Sequence, residues 1–262
     1  MTSVAASDLQ PSHYYPSHNT TPLCSKQLTV YCDFDGPIVD VSNRYYSTYK
    51  LALAYTKATY QTTSIQQLNK QQFWQMKQDR VPDMEIAMRS GLQGEQSDFF
   101  LGRVVEIVNQ PALLKQDKLQ SGVSWALALL HARRVRLILV TLRCQKQATQ
   151  ILRNYGLTRL FSGIYGTCDR HAAYQNYAEA KQQLLQQAIL DQARTSPNSI
   201  SAWMVGDTEA DLLAAQALSI PTIALTCGIR SSLYLKQFQP TQISSDLLAA
   251  AHYLLGRMKD EG

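Results

Sequence analysis

The sequence predicts an α/β protein with a doubly wound, Rossmann-like parallel sheet and an all-helical cap inserted after the first strand. Three observations favour this class. An apolar run at 28–32 ends in an acidic loop, a long stretch with helical spacing follows it, and strands then alternate with helices from residue 122 onward. Such alternation is typical of right-handed βαβ units, whose ligands bind at the carboxyl ends of the strands.

The first predicted strand ends in two carboxylates, within the stretch LTVYCDFDGPIVD at 28–40. Because strand residues alternate between faces, Asp33 and Asp35 project from the same side of the strand end. Gly36 permits a positive φ and Pro37 lacks an N–H, so the strand stops there. Such a pair favours a bound cation, or a nucleophile beside an acid/base group. A turn in which both Asp residues cap backbone N–H groups is the alternative.

The stretch from residue 42 to residue 118 has helical spacing and no convincing strand pattern. Tyr45, Tyr49 and Leu53 recur at intervals of four residues, as on one face of a helix. We therefore predict a flexible N-terminal tail at 1–27, an α/β core at 28–41 plus 119–262, and a helical cap at 42–118.

After the cap, the apolar run VRLILVT at 135–141 is typical of a strand buried on both faces of a parallel sheet. Further strands are predicted at 161–165, 200–205 and 220–225, and helices at 122–133, 145–155, 174–191, 209–217 and 244–256. Trp125 occupies an apolar position of its helix, so we expect it in the core.

The composition is that of an ordinary soluble globular protein, with 45% hydrophobic and 17% charged residues among 262. A net charge of +5 suits a small anionic substrate and is too small to indicate nucleic-acid binding. Five cysteines without a Cys-x-x-Cys pair favour reduced thiols. No apolar run could span a membrane and no signal-peptide pattern is present. We expect a cytoplasmic monomer or homodimer without nucleic-acid or membrane partners.

Two later strands also end in residues suited to phosphate chemistry. The strand at 135–141 ends in Thr141, and the strand at 200–205 leads into the segment GDTEAD. That segment places Asp207 at the sheet edge and Asp211 one helical turn further on, facing the same way.

In one pocket these groups would form a phosphate-binding site. Asp33, Asp35 and Asp207 offer the hard oxygen ligands that Mg²⁺ prefers. Thr141 and Lys181 supply a hydroxyl donor and a positive charge for phosphoryl oxygens.

The order of these motifs resembles the haloacid dehalogenase superfamily of hydrolases, from about Leu28 to the C-terminal helix. The four matching motifs are DFDG at 33–36, LVT at 139–141, Lys181, and VGDTEAD at 205–211. The helical stretch at 42–118 lies where the subgroup that resembles phosphoglycolate phosphatase and β-phosphoglucomutase inserts its helical cap.

The resemblance implies a role for each matched residue. Asp33 would be the nucleophile that forms an aspartyl-phosphate, and Asp35 would protonate the leaving group and then activate water. Thr141 and Lys181 would orient and neutralise the phosphoryl group. The residues departing from the family pattern are Pro37, which replaces a Thr, and Lys181 itself, which lacks a following Pro.

The resemblance also implies Mg²⁺ as the cofactor. Asp33, the backbone carbonyl of Asp35, and Asp207 would bind the ion, and Asp211 would support it through water or Lys181. The ion would let an anionic carboxylate approach an anionic phosphate.

The position of Lys181 in a Gln-rich helix leaves its assignment open, because such a lysine is typical of a solvated helix face. Lys146 is the alternative, although it follows Thr141 too closely for the family's spacing.

Four further cations are candidates for substrate binding. Arg143 follows Thr141 by two residues and could contact the substrate phosphate. Lys77, Arg80 and Arg89 lie in the cap sequence KQDRVPDMEIAMRSG and could read the remote part of the substrate. The alternative for each is an ordinary surface charge.

The resemblance favours a Mg²⁺-dependent phosphatase that acts on a small phosphorylated metabolite through an aspartyl-phosphate. Asp35 disfavours the dehalogenase branch, which has no leaving-group oxygen to protonate. A phosphomutase would use the same residues, and a non-catalytic binding protein would keep only the fold. A phospho-acceptor receiver domain fits poorly, because it is shorter and places its acceptor Asp on a later strand.

Overall fold

The computed structural model describes residues 27–62, 65–195 and 199–260. The predicted N-terminal tail lies outside these residues apart from Gln27, which begins the first strand. The strands are β1 (Gln27–Cys32), β2 (Val39–Asp40), β3 (Lys118–Leu119), β4 (Arg136–Cys144), β5 (Gly163–Thr167), β6 (Ser199–Gly206), β7 (Thr222–Leu225) and β8 (Gln242–Ser244). The helices are α1 (Ser42–Tyr60), α2 (Lys70–Gln78), α3 (Asp83–Arg89), α4 (Glu95–Ile107), α5 (Pro111–Leu114), α6 (Val123–Ala132), α7 (Gln145–Asn154), α8 (Ala172–Gln175), α9 (Ala178–Thr195), α10 (Glu209–Ala217), α11 (Ser232–Lys236) and α12 (Leu247–Asp260).

Six strands form one parallel sheet in the order β5-β4-β1-β6-β7-β8. Cys32, the last residue of β1, is in register with Leu139 of β4 and Val205 of β6. The carboxyl ends of three neighbouring strands therefore meet at one edge of the sheet.

Helices cover both faces of this sheet, which confirms the predicted doubly wound class. Because β1 residues alternate, Val30 packs in a cluster with Leu127 of α6, and Tyr31 packs in a separate cluster with Leu185 of α9. Both clusters are buried, so β1 is apolar on each side, as a central parallel strand requires.

Helices α1 to α5 lie between β2 and β3, after the first strand of the sheet. The two short strands pair antiparallel at the base of this helical cap, with Val39 opposite Leu119. Inside the cap, the rings of Tyr49 and Phe73 stack at 4.8 Å and Phe100 meets Tyr49 edge-on. Residues 28–41, 42–118 and 119–262 remain our predicted division into core and cap.

The prediction that Trp125 lies in the core is wrong: its side chain is 76% exposed. Helix α6 buries the face formed by Val123, Ala126, Leu127 and Leu130. These residues are spaced three and four apart, and Trp125 lies off that face. Strand β8 and helices α8 and α11, each five residues or shorter, were also not predicted.

Among the described residues, no helix combines the length and the apolar character needed to cross a membrane. The cytoplasmic location and the monomeric or homodimeric state remain predictions.

Candidate active site

Three buried carboxylates meet at the carboxyl edge of the sheet. Asp33 follows β1, and Asp207 and Asp211 follow the neighbouring strand β6. One oxygen atom from each of the three carboxylates lies within 4.8 Å of the others. Carboxylates this close repel one another strongly away from water, so the group requires compensating positive charge.

The Asp207 carboxylate is enclosed by backbone. A Cβ atom at Gly36 or at Gly228 would overlap it, so both positions require glycine. The backbone N–H of Ile229 donates to Oδ2 at 2.5 Å, whereas the buried Oδ1 has no hydrogen-bond partner among the described residues. Burial, and then the other two carboxylates, raise the pKa of Asp207 well above its usual value. A divalent cation with oxygen ligands fits such a donor set.

Lys181, on α9, brings a positive charge to the three carboxylates. Its Nζ donates to Asp33 Oδ1 at 2.7 Å and to the carbonyl oxygen of Val140 at 3.0 Å, and it lies 2.8 Å from Asp211 Oδ1. Burial lowers the pKa of Lys181, but the two carboxylates outweigh burial and raise it above its usual value. The structure therefore places Lys181 inside the site, although its helix is Gln-rich.

Asp211 connects the carboxylates to the start of α10. Its Oδ2 accepts hydrogen bonds from the backbone N–H and the hydroxyl of Thr208, at 3.1 and 2.9 Å. Its Oδ1 faces Lys181. Because both oxygens already have protein partners, the geometry favours a supporting role for Asp211 over direct metal ligation.

Asp33 and Thr141 line one cavity beside these carboxylates. Burial raises the pKa of Asp33 to about 7, with Lys181 opposing and Asp211 adding to the increase. The Oγ1 of Thr141 accepts a hydrogen bond from the backbone N–H of Arg143 at 3.1 Å. Its hydroxyl hydrogen can therefore donate to an oxygen atom of a bound ligand.

The side chain of Asp35 faces two arginines and is not part of the three-carboxylate group. Arg44 approaches Oδ2 at 3.1 Å and Arg143 approaches Oδ1 at 2.7 Å. The same arginines contact Asp117, at 2.9 and 2.6 Å respectively. We call Arg44, Arg143, Asp35 and Asp117 the hinge cluster. Arg143 also lines the cavity, where its Nη2 contacts both carboxylates while its Nε and Nη1 are buried without a hydrogen-bond partner among the described residues.

The cavity lies between the cap and the core and encloses about 40 Å³. Lys77 lines it from the cap, where its Nζ donates to Asp83 Oδ1 at 2.7 Å. Tyr174 donates its hydroxyl to Asp83 Oδ2 at 2.6 Å. The Nδ2 of Asn176, also in the lining, is buried without a hydrogen-bond partner among the described residues. The cavity therefore has charged groups from the cap and a free donor from the core.

Arg80 also lines the cavity, and it connects the cap to the core. Its Nε donates to Glu209 Oε1 at 2.8 Å. Arg230 donates from Nε to Glu209 Oε2 at 2.7 Å and from a terminal nitrogen to the carbonyl oxygen of Lys77 at 3.1 Å. Glu209 thus receives one arginine from each side of the interface.

Arg89 lies outside the cavity lining, so we correct its predicted placement. It pairs with Glu85 one turn earlier on α3, and both side chains are about half exposed. Helix α3 buries Ile86 and Ala87 instead, which turns Arg89 towards solvent. An ordinary surface charge is the description that fits its surroundings.

The sequence profile of the haloacid dehalogenase-like hydrolases matches residues 30–225, about three quarters of the chain. The chain belongs to this family. The match begins within β1 and ends at the last residue of β7, so it includes all four motifs and the whole cap.

A curated relative of this family member is the probable phosphatase IndB of Dickeya dadantii (strain 3937), which is 31% identical over 137 residues. The matched segment covers 51% of our chain and 56% of IndB, so the chain spans little more than half the length of that relative.

Solved structures of similar fold include other hydrolases. A haloacid dehalogenase-like hydrolase from Streptococcus pneumoniae is 21% identical with a TM-score of 0.61, covering 87% of our chain and 99% of its own. A predicted phosphatase from Clostridium acetobutylicum is 19% identical with a TM-score of 0.64, covering 88% and 100%. A predicted phosphoglycolate phosphatase from Haemophilus somnus is 18% identical with a TM-score of 0.59, covering 88% and 98%. At these low identities, the TM-scores show a shared fold alone.

Sequence reasoning missed several residues around the site of this hydrolase. Glu209 was part of a quoted motif but received no role, and Arg44 is the third residue of a predicted helix. Asp117 and Arg230 lie in segments without a motif. Their common feature is burial with an opposite charge, which depends on the folded arrangement.

Removal of one partner of the Lys77–Asp83 pair should be costly, because burial holds the pKa of Lys77 below its usual value even with Asp83 opposing that effect. We expect Asp83→Asn to lower the free energy of unfolding by about 3 kcal/mol at pH 7, because it leaves a buried lysine unpaired. Burial alone would raise the pKa of Asp83, but Lys77 and Tyr174 lower it below its usual value. This contribution is therefore complete above about pH 4 and is lost as the pH falls through the folded-state pKa.

Urea unfolding at pH 7 and at pH 3 would measure this contribution. Glu85→Gln on the same helix is the matched control, since its exposed pair with Arg89 should be worth less than about 0.5 kcal/mol. Equal losses in the two variants would contradict the prediction.

Proposed function

We propose that the protein is a Mg²⁺-dependent phosphatase that hydrolyses the monoester of a small phosphorylated metabolite. The observation that supports this most directly is the convergence of Asp33, Asp207 and Asp211 at the carboxyl edge of the sheet, where Lys181 contacts Asp33 and Asp211. Membership of the hydrolase family and the likeness to IndB point the same way.

Asp33 is the nucleophile in this proposal. Its carboxylate attacks phosphorus and forms an aspartyl-phosphate, while the bond to the leaving-group oxygen breaks. Lys181 orients the Asp33 carboxylate through the 2.7 Å hydrogen bond. Thr141 donates its hydroxyl hydrogen to a phosphoryl oxygen. The chemistry then requires mainly positioning and charge neutralisation.

Asp35 is the acid/base group. It gives its proton to the leaving-group oxygen, and the alcohol departs. In the second half-reaction it takes a proton from water, whose oxygen attacks the aspartyl-phosphate. Phosphate leaves and Asp33 is regenerated.

The donor set fits a magnesium ion. Asp33, the backbone carbonyl of Asp35, and Asp207 would hold it, with the unpartnered Oδ1 of Asp207 as the clearest ligand atom. Asp211 would act through Lys181 and Thr208. When bound, the ion would neutralise negative charge on the phosphoryl group.

The charges around the cavity favour an anionic substrate. Lys77 and Arg80 from the cap and Arg230 from the core supply three positive charges, against the two carboxylates of Asp83 and Glu209. We therefore propose that Lys77 and Arg80 contact the remote part of a small substrate. We also propose that Arg143 contacts the phosphoryl group, since it lines the cavity and its Nε and Nη1 are buried without a hydrogen-bond partner among the described residues.

Metal removal tests this function. Purified protein should release inorganic phosphate from 4-nitrophenyl phosphate in Mg²⁺, and chelator should lower kcat by about 10³-fold, because the ion supplies several kcal/mol of charge stabilisation. Adding Mg²⁺ back should restore the rate.

Turnover that is equal in Mg²⁺ and in chelator would contradict the proposal.

If turnover depends on Mg²⁺, a panel of small phosphate esters would identify the substrate. Isomerisation of a sugar phosphate without net phosphate release would indicate a phosphomutase, and inactivity across the whole panel would indicate a binding protein.

A further inference from the structure

The hinge cluster joins the two connections of the cap to the acid/base group of the core. Arg44 is the third residue of α1, where the chain enters the cap, and Asp117 directly precedes β3, where the chain leaves it. Asp35 lies in the loop after β1, and Arg143 is the second-to-last residue of β4. The cluster therefore forms only when both cap connections are in place.

The contacts within the cluster are reciprocal. Each arginine touches both carboxylates, and each carboxylate touches both arginines, at distances from 2.6 to 3.1 Å. The side chains of Arg44, Arg143 and Asp117 are each 1% exposed, and that of Asp35 is 9% exposed. Two positive and two negative charges balance away from solvent. Removal of one partner leaves an uncompensated buried charge, so the remaining groups must rearrange.

Asp117 has no place in the catalytic chemistry described above. Its carboxylate lies against the two arginines, outside the group formed by Asp33, Asp207 and Asp211. Asp117 nevertheless acts on Asp35 through the two guanidinium groups that contact both carboxyls. Without Asp117, Arg143 would lose one of its two carboxylates, and Arg44 would keep only Asp35 and the contacts of its Nη1 with Val108 and Asn109.

We propose that Asp117 is a positioning residue, which holds Arg44 and Arg143 so that the Asp35 carboxyl faces the leaving-group oxygen. This inference rests on the proposed function of Asp35. Arg44 shares the same task, since its Nε holds Asp117 while a terminal nitrogen holds Asp35. The planar fork of an arginine permits both contacts at once, which a lysine cannot reproduce.

A positioning role predicts a dependence on the leaving group. Phenyl phosphate releases a phenolate whose conjugate acid has a pKa of about 10, so its reaction needs the proton from Asp35. The leaving group of 4-nitrophenyl phosphate is a much weaker base and needs that proton far less. Misorientation of Asp35 should therefore slow phenyl phosphate selectively. A purely structural role of Asp117 would slow both esters equally.

The test compares kcat/KM for the two esters within each preparation, so that the amount of folded enzyme cancels. We expect kcat/KM for the 4-nitrophenyl ester, divided by kcat/KM for the phenyl ester, to rise about tenfold or more in Asp117→Asn. General acid–base catalysis typically contributes a rate factor of about 10²–10⁴, so a partial loss of this size is expected from misorientation. Arg44→Lys keeps the charge and should raise the ratio similarly. The control is Ser47→Ala, which removes the neighbouring hydrogen bond from α1 to Gln116 (2.8 Å) without touching the cluster.

An unchanged ratio in Asp117→Asn and Arg44→Lys would overturn the inference, as would an equal rise in Ser47→Ala. Inactive wild-type protein would overturn the phosphatase function itself, and this inference with it. The two failures are distinguished by the wild-type rate in Mg²⁺.

Discussion

Asp33→Asn is expected to lower kcat for 4-nitrophenyl phosphate by about 10³-fold or more in the presence of Mg²⁺, a loss of at least about 4 kcal/mol of transition-state stabilisation. The substitution keeps the shape of the side chain and removes the charge that attacks phosphorus. The amide also loses one of the anionic oxygens on which the metal depends. Both effects act on the same step, so we expect KM to change less than kcat.

The same variant should fold normally, which separates lost chemistry from misfolding. Burial raises the pKa of Asp33 to about 7 in the folded protein, above its unfolded value near 4. The free energy of unfolding therefore decreases as the pH rises from about 4 through 7, because Asp33 ionises more readily in the unfolded chain. Asparagine does not ionise, so the variant avoids this loss of stability. In chelator at pH 8, Asp33→Asn should melt at least as high as the wild type.

Asp40→Asn is the control for this experiment. Asp40 ends β2 and accepts a hydrogen bond from the backbone N–H of Ser42 at 2.8 Å, and it does not belong to the three-carboxylate group. Its substitution should leave kcat within a few-fold of wild type. Activity that survives Asp33→Asn would mean that the nucleophile is another residue or that the activity comes from a contaminant.

The fold was accessible from the sequence because its determinants are local. An apolar run such as 135–141 is typical of a strand buried on both faces of a parallel sheet, and the alternation with helices then favours the doubly wound class. Parallel strands also place their carboxyl ends at one edge. The convergence of Asp33 and Asp207 therefore followed from their positions just after two strands.

The hinge cluster was inaccessible for the opposite reason. Arg44 and Asp117 are 73 residues apart in the sequence, and each looks like an ordinary surface charge within its own segment. Only the closure of the cap connections brings them together. Arg143 shows the same limit, since its buried contacts with Asp35 and Asp117 were not predicted, whereas its contact with phosphate stays a prediction.

The backbone conformation at Arg80 and at Arg89 determines which carboxylate each side chain contacts. Arg80 follows the end of α2 with a φ of 59°, in the left-handed region, and from there reaches Glu209. Arg89 remains within α3 and pairs along its own helix. No glycine or asparagine marks position 80, so the sequence contains no signal for this turn.

Lys181→Met is expected to impair both activity and stability. The methionine has similar length but no charge, so Asp33 loses the hydrogen bond that orients it and Asp211 loses its partner. We expect kcat to fall by about 10²-fold or more. The three buried carboxylates also lose the cation that compensates them. In chelator at pH 8, the free energy of unfolding should decrease by about 3 kcal/mol.

The pH dependence of that decrease is what distinguishes charge loss from simple repacking. Without Lys181, the carboxylates must bind protons to remain buried, so the deficit should shrink as the pH falls from 8 towards 5. Mg²⁺ should also reduce it, because the carboxylates left without Lys181 should bind the cation more strongly than those of the wild type, and an ion that binds only the folded state adds stability. Lys146→Met is the matched control: Lys146 is exposed on α7 and was the alternative lysine, so its loss should change neither stability nor rate measurably. Two outcomes would contradict this prediction: equal effects of the two substitutions, or a Lys181→Met loss of stability that does not depend on pH and Mg²⁺. Either would mean that Lys181 contributes only packing, and that the three carboxylates obtain their compensating charge from another group.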